Sequence, residues 1–226
     1  MGDNILFSLG DFQVSLVLSL EIIASILTFL CILFAVKEKI WTFPIGMIGT
    51  AMYFFVFFMQ RVYSSMTLQI MFFAFNAYGL YKWTHPGKKD SAKSDNTLAV
   101  TLLTSKSRVL TIVIIAVLTM ALGYVMSNLN NWLPALFPEE AKYVYIDTSI
   151  LAASLVAQYL MAIKKLENWA IWFAVDIVSA PFYFITVGWA TGILYLVFIF
   201  TAVMGWIEWK KSYKSTSKDT EFSDIG

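Results

Sequence analysis

Trp169, Trp172 and Asp176 stand at positions i, i+3 and i+7 of the otherwise apolar stretch ENWAIWFAVDIVSAPFY, residues 167–183. An indole offers a π face on which a flat ring can stack, and a cationic ring there gains about 2 kcal/mol once water is removed. A carboxylate accepts N–H and O–H donors and balances a positive charge. On a helix turning about 100° per residue, the three side chains fall within about 60° of one another. Gln69 and Asn76, in SMTLQIMFFAFNAYG, are seven residues apart and form a second stripe, of uncharged amides. These groups suit recognition of a planar ligand with a polar edge. Each has a plainer use as well. Trp169 follows Lys164, Lys165 and Asn168 and fits a membrane-interface anchor, Asp176 fits a bond to a neighbouring helix, and the amides fit interhelical hydrogen bonds worth about 0.6 kcal/mol each.

The surrounding composition sets the solvent in which this chemistry works. Of 226 residues, 59% are hydrophobic and 14% charged, and the mean hydropathy is +0.70. Soluble domains carry about 25% charged residues, so this is an integral membrane protein. An ionised aspartate at a helix centre costs about 2.5–3.5 kcal/mol on insertion scales, so Asp176 is expected to face a cavity or a partner. A net charge of +1 gives no electrostatic case for nucleic acid. Cys31 is the single cysteine, which excludes an intramolecular disulfide. The stretch MGDNILFSLGDF lacks the Lys or Arg of a cleaved signal peptide. A membrane-embedded enzyme is disfavoured, because the single His85 lies in a polar loop and no His, Cys and carboxylate cluster has metal-ligand spacing; no cofactor is implied. A retinal protein is disfavoured because every lysine lies in a loop, a tail or a segment end.

Apolar stretches near the ~20 residues needed to cross a bilayer lie at about residues 12–36, 42–60, 66–83, 109–131, 146–163, 169–187 and 191–209. The reading is an all-α membrane protein of seven transmembrane helices. Of the 16 Lys and Arg residues, all but Arg61 and Lys142 fall on one side, which places the N-terminus outside and the C-terminus in the cytoplasm. The loop HPGKKDSAKSDNT and the tail KSYKSTSKDTEFSDIG are polar and read as mobile, cytoplasmic segments.

A weak internal repeat runs through the chain. Segment 3 ends AYGLYKW and segment 7 ends VMGWIEW, which sets Gly79 and Trp83 against Gly205 and Trp209 at a shift of 126 residues. The same shift carries Glu21 onto Asp147, whose symmetry suggests a structural or gating contact. The basic turns AVKEKIW and AIKKLENW align at a shift of 127 or 128. The expected organisation is one transmembrane domain, with three-helix units at 12–83 and 145–209, a polar loop and linker helix over 84–144, and a tail from 210 to 226. A parallel repeat of this kind favours a transporter with one midplane site, built differently from each half. At the shift of 126, Gln69 becomes Tyr195 and Asn76 becomes Ala202. Tyr53 and Tyr183 follow the small residues and prolines of segments 2 and 6 and are candidates to line that site. Pro181 leaves the carbonyl of Ile177 without its helical donor and suggests a hinge just beyond Asp176.

The segments YSSMTLQIMFFAFNAYGLYKW and KKLENWAIWFAVDIVSAPFYF, with Leu-Gln seven residues before Asn-x-Tyr-Gly and with Glu-Asn-Trp-x-x-Trp, resemble the PnuC family of bacterial vitamin transporters. The resemblance spans Glu21 to Trp209. It implies a 3+1+3 helix arrangement related to that of the SWEET sugar transporters, in a bacterial inner membrane. It also implies facilitated diffusion of nicotinamide riboside, an NAD precursor, with trapping by a cytoplasmic kinase, and a homotrimer. The paired tryptophans become Trp169 and Trp172, and the amides Gln69 and Asn76. Asp176 occupies a position where relatives also carry an amide. Nicotinamide riboside has a pyridinium ring, a carboxamide and a ribose, which suit indoles and polar edges. Thiamine or riboflavin are the alternative cargoes, with a SWEET-like sugar carrier further off.

Overall fold

The computed structural model describes residues 5–9, 12–60, 63–87, 98–134, 143–186 and 189–223, with side chains over 16–59, 66, 68–87, 98–134, 143–185 and 192–216. Seven helices run through it: Leu16–Val36 (α1), Thr42–Gln60 (α2), Tyr63–Thr84 (α3), Ser105–Trp132 (α4), Val144–Ala162 (α5), Glu167–Thr186 (α6) and Trp189–Ser223 (α7). Among the described residues, all of these except α3 are long and apolar enough to cross a bilayer. α3 is as long as the others, but Gln69 and Asn76 interrupt its apolar run. Arg61, Lys88, Lys89, Lys93 and Lys142, used above to read the loops, lie outside the described residues.

Two boundaries differ from the sequence reading. The first apolar run does not begin its helix at residue 12, because Phe12–Ser15 (β2) pairs antiparallel with Ile5–Leu9 (β1), Leu9 opposite Phe12. FQVS alternates apolar and polar residues, which is strand periodicity. At the other end the tail is helical to Ser223. Between Trp209 and Ser223 there is neither glycine nor proline to stop α7, and its polar residues are tolerated on a solvated helix.

The chain forms two compact units, Met1–Leu98 and Ala99–Gly226. In the first, α2 packs against α1 and α3; in the second, α4, α5, α6 and α7 pack each against the next. The repeat is written into the backbone of both. After α1, the N–H of Glu38 donates to Ala35 O at 3.0 Å, Lys39 to Phe34 O at 2.9 Å, Thr42 to Lys39 O at 3.1 Å and Phe43 to Ile40 O at 3.2 Å. After α5, Lys164 donates to Met161 O at 3.0 Å, Lys165 to Leu160 O at 2.9 Å, Asn168 to Lys165 O at 3.1 Å and Trp169 to Leu166 O at 3.2 Å. Every pair is related by 126 residues. Glu38 and Lys164 also share a left-handed backbone, with φ of 53° and 56°. The turns therefore align at 126, and not at the 127 or 128 read from AVKEKIW and AIKKLENW.

Lipid gives little hydrophobic drive to helix association, so close van der Waals contact has to hold the helices together. In each unit a glycine makes that contact. A Cβ at Gly79 would collide with the Phe43 ring, and one at Gly205 with the Trp169 indole. Each of those rings meets a tryptophan edge to face: Phe43 and Trp83 have centroids 4.9 Å apart at 85°, and Trp169 and Trp209 are 5.6 Å apart at 88°. Such aromatic pairs add about 0.5–1.5 kcal/mol beyond their contact area. Phe43, Trp169 and Trp209 are fully buried as a result. Gly205→Ala is expected to destabilise the second unit by about 1–3 kcal/mol through overpacking. Thermal unfolding of the purified protein in detergent should show the loss, and Gly79→Ala should show it for the first unit.

Candidate functional site

On α6 the side chains of Trp169, Trp172, Asp176, Ser179 and Tyr183 follow one another within an arc of about 80°, over about 21 Å of helix. Their local register comes from the left-handed Lys164, which turns the chain out of α5 and into α6. Pro181 sits inside α6 without ending it.

Several polar atoms in this row lack partners. The indole N–H groups of Trp169 and Trp172 and the Ser179 hydroxyl are buried, with no hydrogen bond among the described residues. Asp176 is 4% exposed, and neither a hydrogen bond nor an opposite charge acts on its carboxylate among the described residues. Nine in ten or more buried polar groups in proteins are hydrogen-bonded, so a run of unmet ones on a single helix face calls for an explanation. Further along, Tyr183 and Tyr195 of α7 stack at 5.0 Å and 22°, and the carboxylates of Asp176 and Asp147 both lie within electrostatic range of the Tyr195 phenol. Asp147 occupies the exposed first turn of α5.

The first unit serves as an internal control. At a shift of 126, Asp176 corresponds to Thr50, whose hydroxyl donates to Gly46 O at 2.9 Å and to Met47 O at 3.0 Å. Ser179 corresponds to Tyr53, whose phenol is 2.6 Å from Ser25 Oγ. Ser25 corresponds in turn to Leu151, which has nothing to offer a hydroxyl. Trp172 corresponds to Gly46, and a Cβ there would stand 2.8 Å from Asn76 Oδ1. Equivalent positions that satisfy their own polar groups on α2 thus leave them unsatisfied on α6.

The remaining candidates fall in the first unit or at its edge. Asn76 is buried and donates through Nδ2 to Phe72 O at 2.9 Å. Gln69 is half-buried in the wall of a cleft of about 170 Å³, beside Thr50, Ala51, Phe54, Phe55, Ile70 and Phe73. Tyr53 stacks on Phe57 at 5.7 Å. The Glu21 carboxylate is exposed, and the Glu21 carbonyl accepts from Ser25 Oγ at 2.8 Å. No group of three or more His, Cys, Asp or Glu able to hold a metal occurs among the described residues. Sequence reasoning passed over Ser179, although following the α6 face one turn beyond Asp176 reaches it.

Residues 18–211 match the family described as nicotinamide mononucleotide transporter. The nicotinamide riboside transporter PnuC of Escherichia coli (strain K12) is 28% identical over 206 residues, covering 85% of each chain. The riboflavin/roseoflavin transporter RibM of Streptomyces davaonensis is 24% identical over 190 residues, covering 84% of this chain and 83% of its own. A crystal structure of the vitamin B3 transporter PnuC shares the fold, with a TM-score of 0.65 at 23% identity, over 88% of this chain and 83% of the other.

The unsatisfied carboxylate of Asp176 yields a separable test of stability against function. Asp176→Leu is expected to raise the unfolding temperature, since removing a buried, unpartnered polar group relieves about 1–3 kcal/mol, while ligand binding is lost. Thermal unfolding and calorimetric binding on the same preparation check both halves.

Proposed function

This chain belongs to the nicotinamide mononucleotide transporter family and is a multi-pass membrane transporter, not an enzyme; we propose that its cargo is nicotinamide riboside, received on the α6 row. The observation that carries this reading is the set of unpartnered polar atoms on one face of α6, beside two indoles. A pyridinium ring stacked at Trp172 brings a positive charge to Asp176. The carboxamide and ribose bring N–H and O–H donors for the same carboxylate and an acceptor oxygen for an indole N–H. Trp169 holds the frame through Trp209 and Gly205, and its buried N–H has no partner among the described residues. Tyr183 and Tyr195 continue the row with two more hydroxyls.

The transport cycle proposed with it is facilitated diffusion by alternating access, without ion coupling. Phosphorylation by a cytoplasmic kinase adds charge that the bilayer rejects, which makes uptake one-way. The proposed topology has the N-terminus outside, the C-terminus in the cytoplasm and a 3+1+3 helix order with α4 as the linker, in a homotrimer. Riboflavin is the second reading, favoured by the likeness to RibM and by its flat ring.

Calorimetric binding of nicotinamide riboside, thiamine, riboflavin and nicotinamide to the purified protein tests the assignment. Nicotinamide riboside is expected to bind most tightly. Trp172→Ala should abolish the signal. Asp176→Asn should weaken nicotinamide riboside by about tenfold, or about 1.4 kcal/mol, and should affect neutral nicotinamide less. Preference for riboflavin in the parent protein would move the cargo, and undiminished binding by Trp172→Ala would remove the site.

A further inference from the structure

Glu167 opens α6, two residues before Trp169 and five before Trp172, and its side chain is only 13% exposed. Both of its carboxylate oxygens accept the N–H of Leu103 at 3.1 Å. Arg108, in the first turn of α4, donates to Oε1 through Nε at 3.0 Å and Nη2 at 2.9 Å. The same short segment before α4 is pinned along the turn that launches α6. Thr101 N–H donates to Lys164 O at 3.2 Å, Leu166 N–H donates to Thr101 O at 3.0 Å, and Lys165 Nζ donates to Thr101 Oγ1 at 2.8 Å. Val100 is buried beside this bridge, and Thr104 closes the segment by capping α4, accepting Ser107 N–H at 3.2 Å.

The repeat again supplies the comparison. The position equivalent to Glu167 in the first unit is Trp41, which is 61% exposed and has no carboxylate to hold a strap. The turn hydrogen bonds themselves are the same in both units, so the turn does not need the strap in order to form. What distinguishes the second unit is the row of polar atoms without partners among the described residues that begins just after the strapped turn. A charged acceptor with three N–H donors is among the stronger local anchors available.

We propose that Glu167 is a positioning residue for substrate binding. Clamped by Leu103 and Arg108, it fixes the start of α6, and so the rotation and height of Trp169, Trp172 and Asp176. This role rests on the reading of the α6 row as the substrate site. Pre-organisation of this kind lowers the ordering cost paid when ligand binds, so its loss falls on affinity first.

The test measures nicotinamide riboside affinity by calorimetry and uptake kinetics in cells, with membrane protein quantified, for Glu167→Gln, Arg108→Gln, the double variant and Trp172→Ala. Arg108 is 51% exposed, so its substitution is the milder probe of folding. Each single variant is expected to raise Kd and KM roughly tenfold with the limiting rate kept, and the double variant to be no worse than about either single one, as for coupled residues. Unchanged Kd in both single variants, or a loss confined to the limiting rate or to protein amount, would overturn the positioning role while leaving the site in place if Trp172→Ala still abolishes binding. Normal binding by Trp172→Ala would overturn the site, and the positioning role with it.

Discussion

A ring lying directly on a helix backbone is the contact from which the rest of each unit follows. Phe43 over Gly79 and Trp169 over Gly205 bring neighbouring helices to a distance that any side chain would forbid. In water, apolar burial would drive such helices together whatever their shape. In lipid it gives little, and shape has to supply the attraction. The edge-to-face tryptophans, Trp83 and Trp209, complete each stack from one turn further along the glycine's own helix.

Because the same stack recurs, the two units act as copies of one frame with different chemistry mounted on it. Glycine at 46 goes with asparagine at 76; tryptophan at 172 goes with alanine at 202, so volume moves from one helix to the other at equivalent positions. Thr50 and Tyr53 spend their hydroxyls on the helix backbone and on Ser25. In their places, the Asp176 carboxylate and the Ser179 hydroxyl meet no hydrogen-bond partner among the described residues. Duplication permits this asymmetry: one copy keeps its polar side chains satisfied at positions where the other carries the groups proposed to receive the ligand.

The class, the helices and the repeat were legible because each rests on a signal strong in a single chain: hydropathy over ~20 residues, and Gly-x-x-x-Trp recurring at one spacing. The register of the turns was not. Neither Glu38 nor Lys164 is a glycine or asparagine, so nothing in the letters marks their positive φ, and the matching letters Ala35 with Ala162 and Trp41 with Trp169 point to offsets of 127 and 128 instead. The hairpin was hidden because Phe12–Ser15 is apolar enough to read as the start of α1. On the site, Trp169, Trp172 and Asp176 stood out by type and spacing. The partners of Glu167 did not, because Leu103 and Arg108 are 64 and 59 residues away and one of them contributes only its backbone.

α7 extends as one uninterrupted helix from Trp189 to Ser223, and Trp209, which closes the stack on Trp169, lies partway along it. From Trp209 to the last helical residue is about 21 Å of rod. A tilt of about 10° around that tryptophan would swing the tip by about 4 Å, at 1.5 Å of rise per residue. A small change in the angle of the aromatic stack would therefore reach the polar end of α7 as a displacement large enough for a spectroscopic label to read.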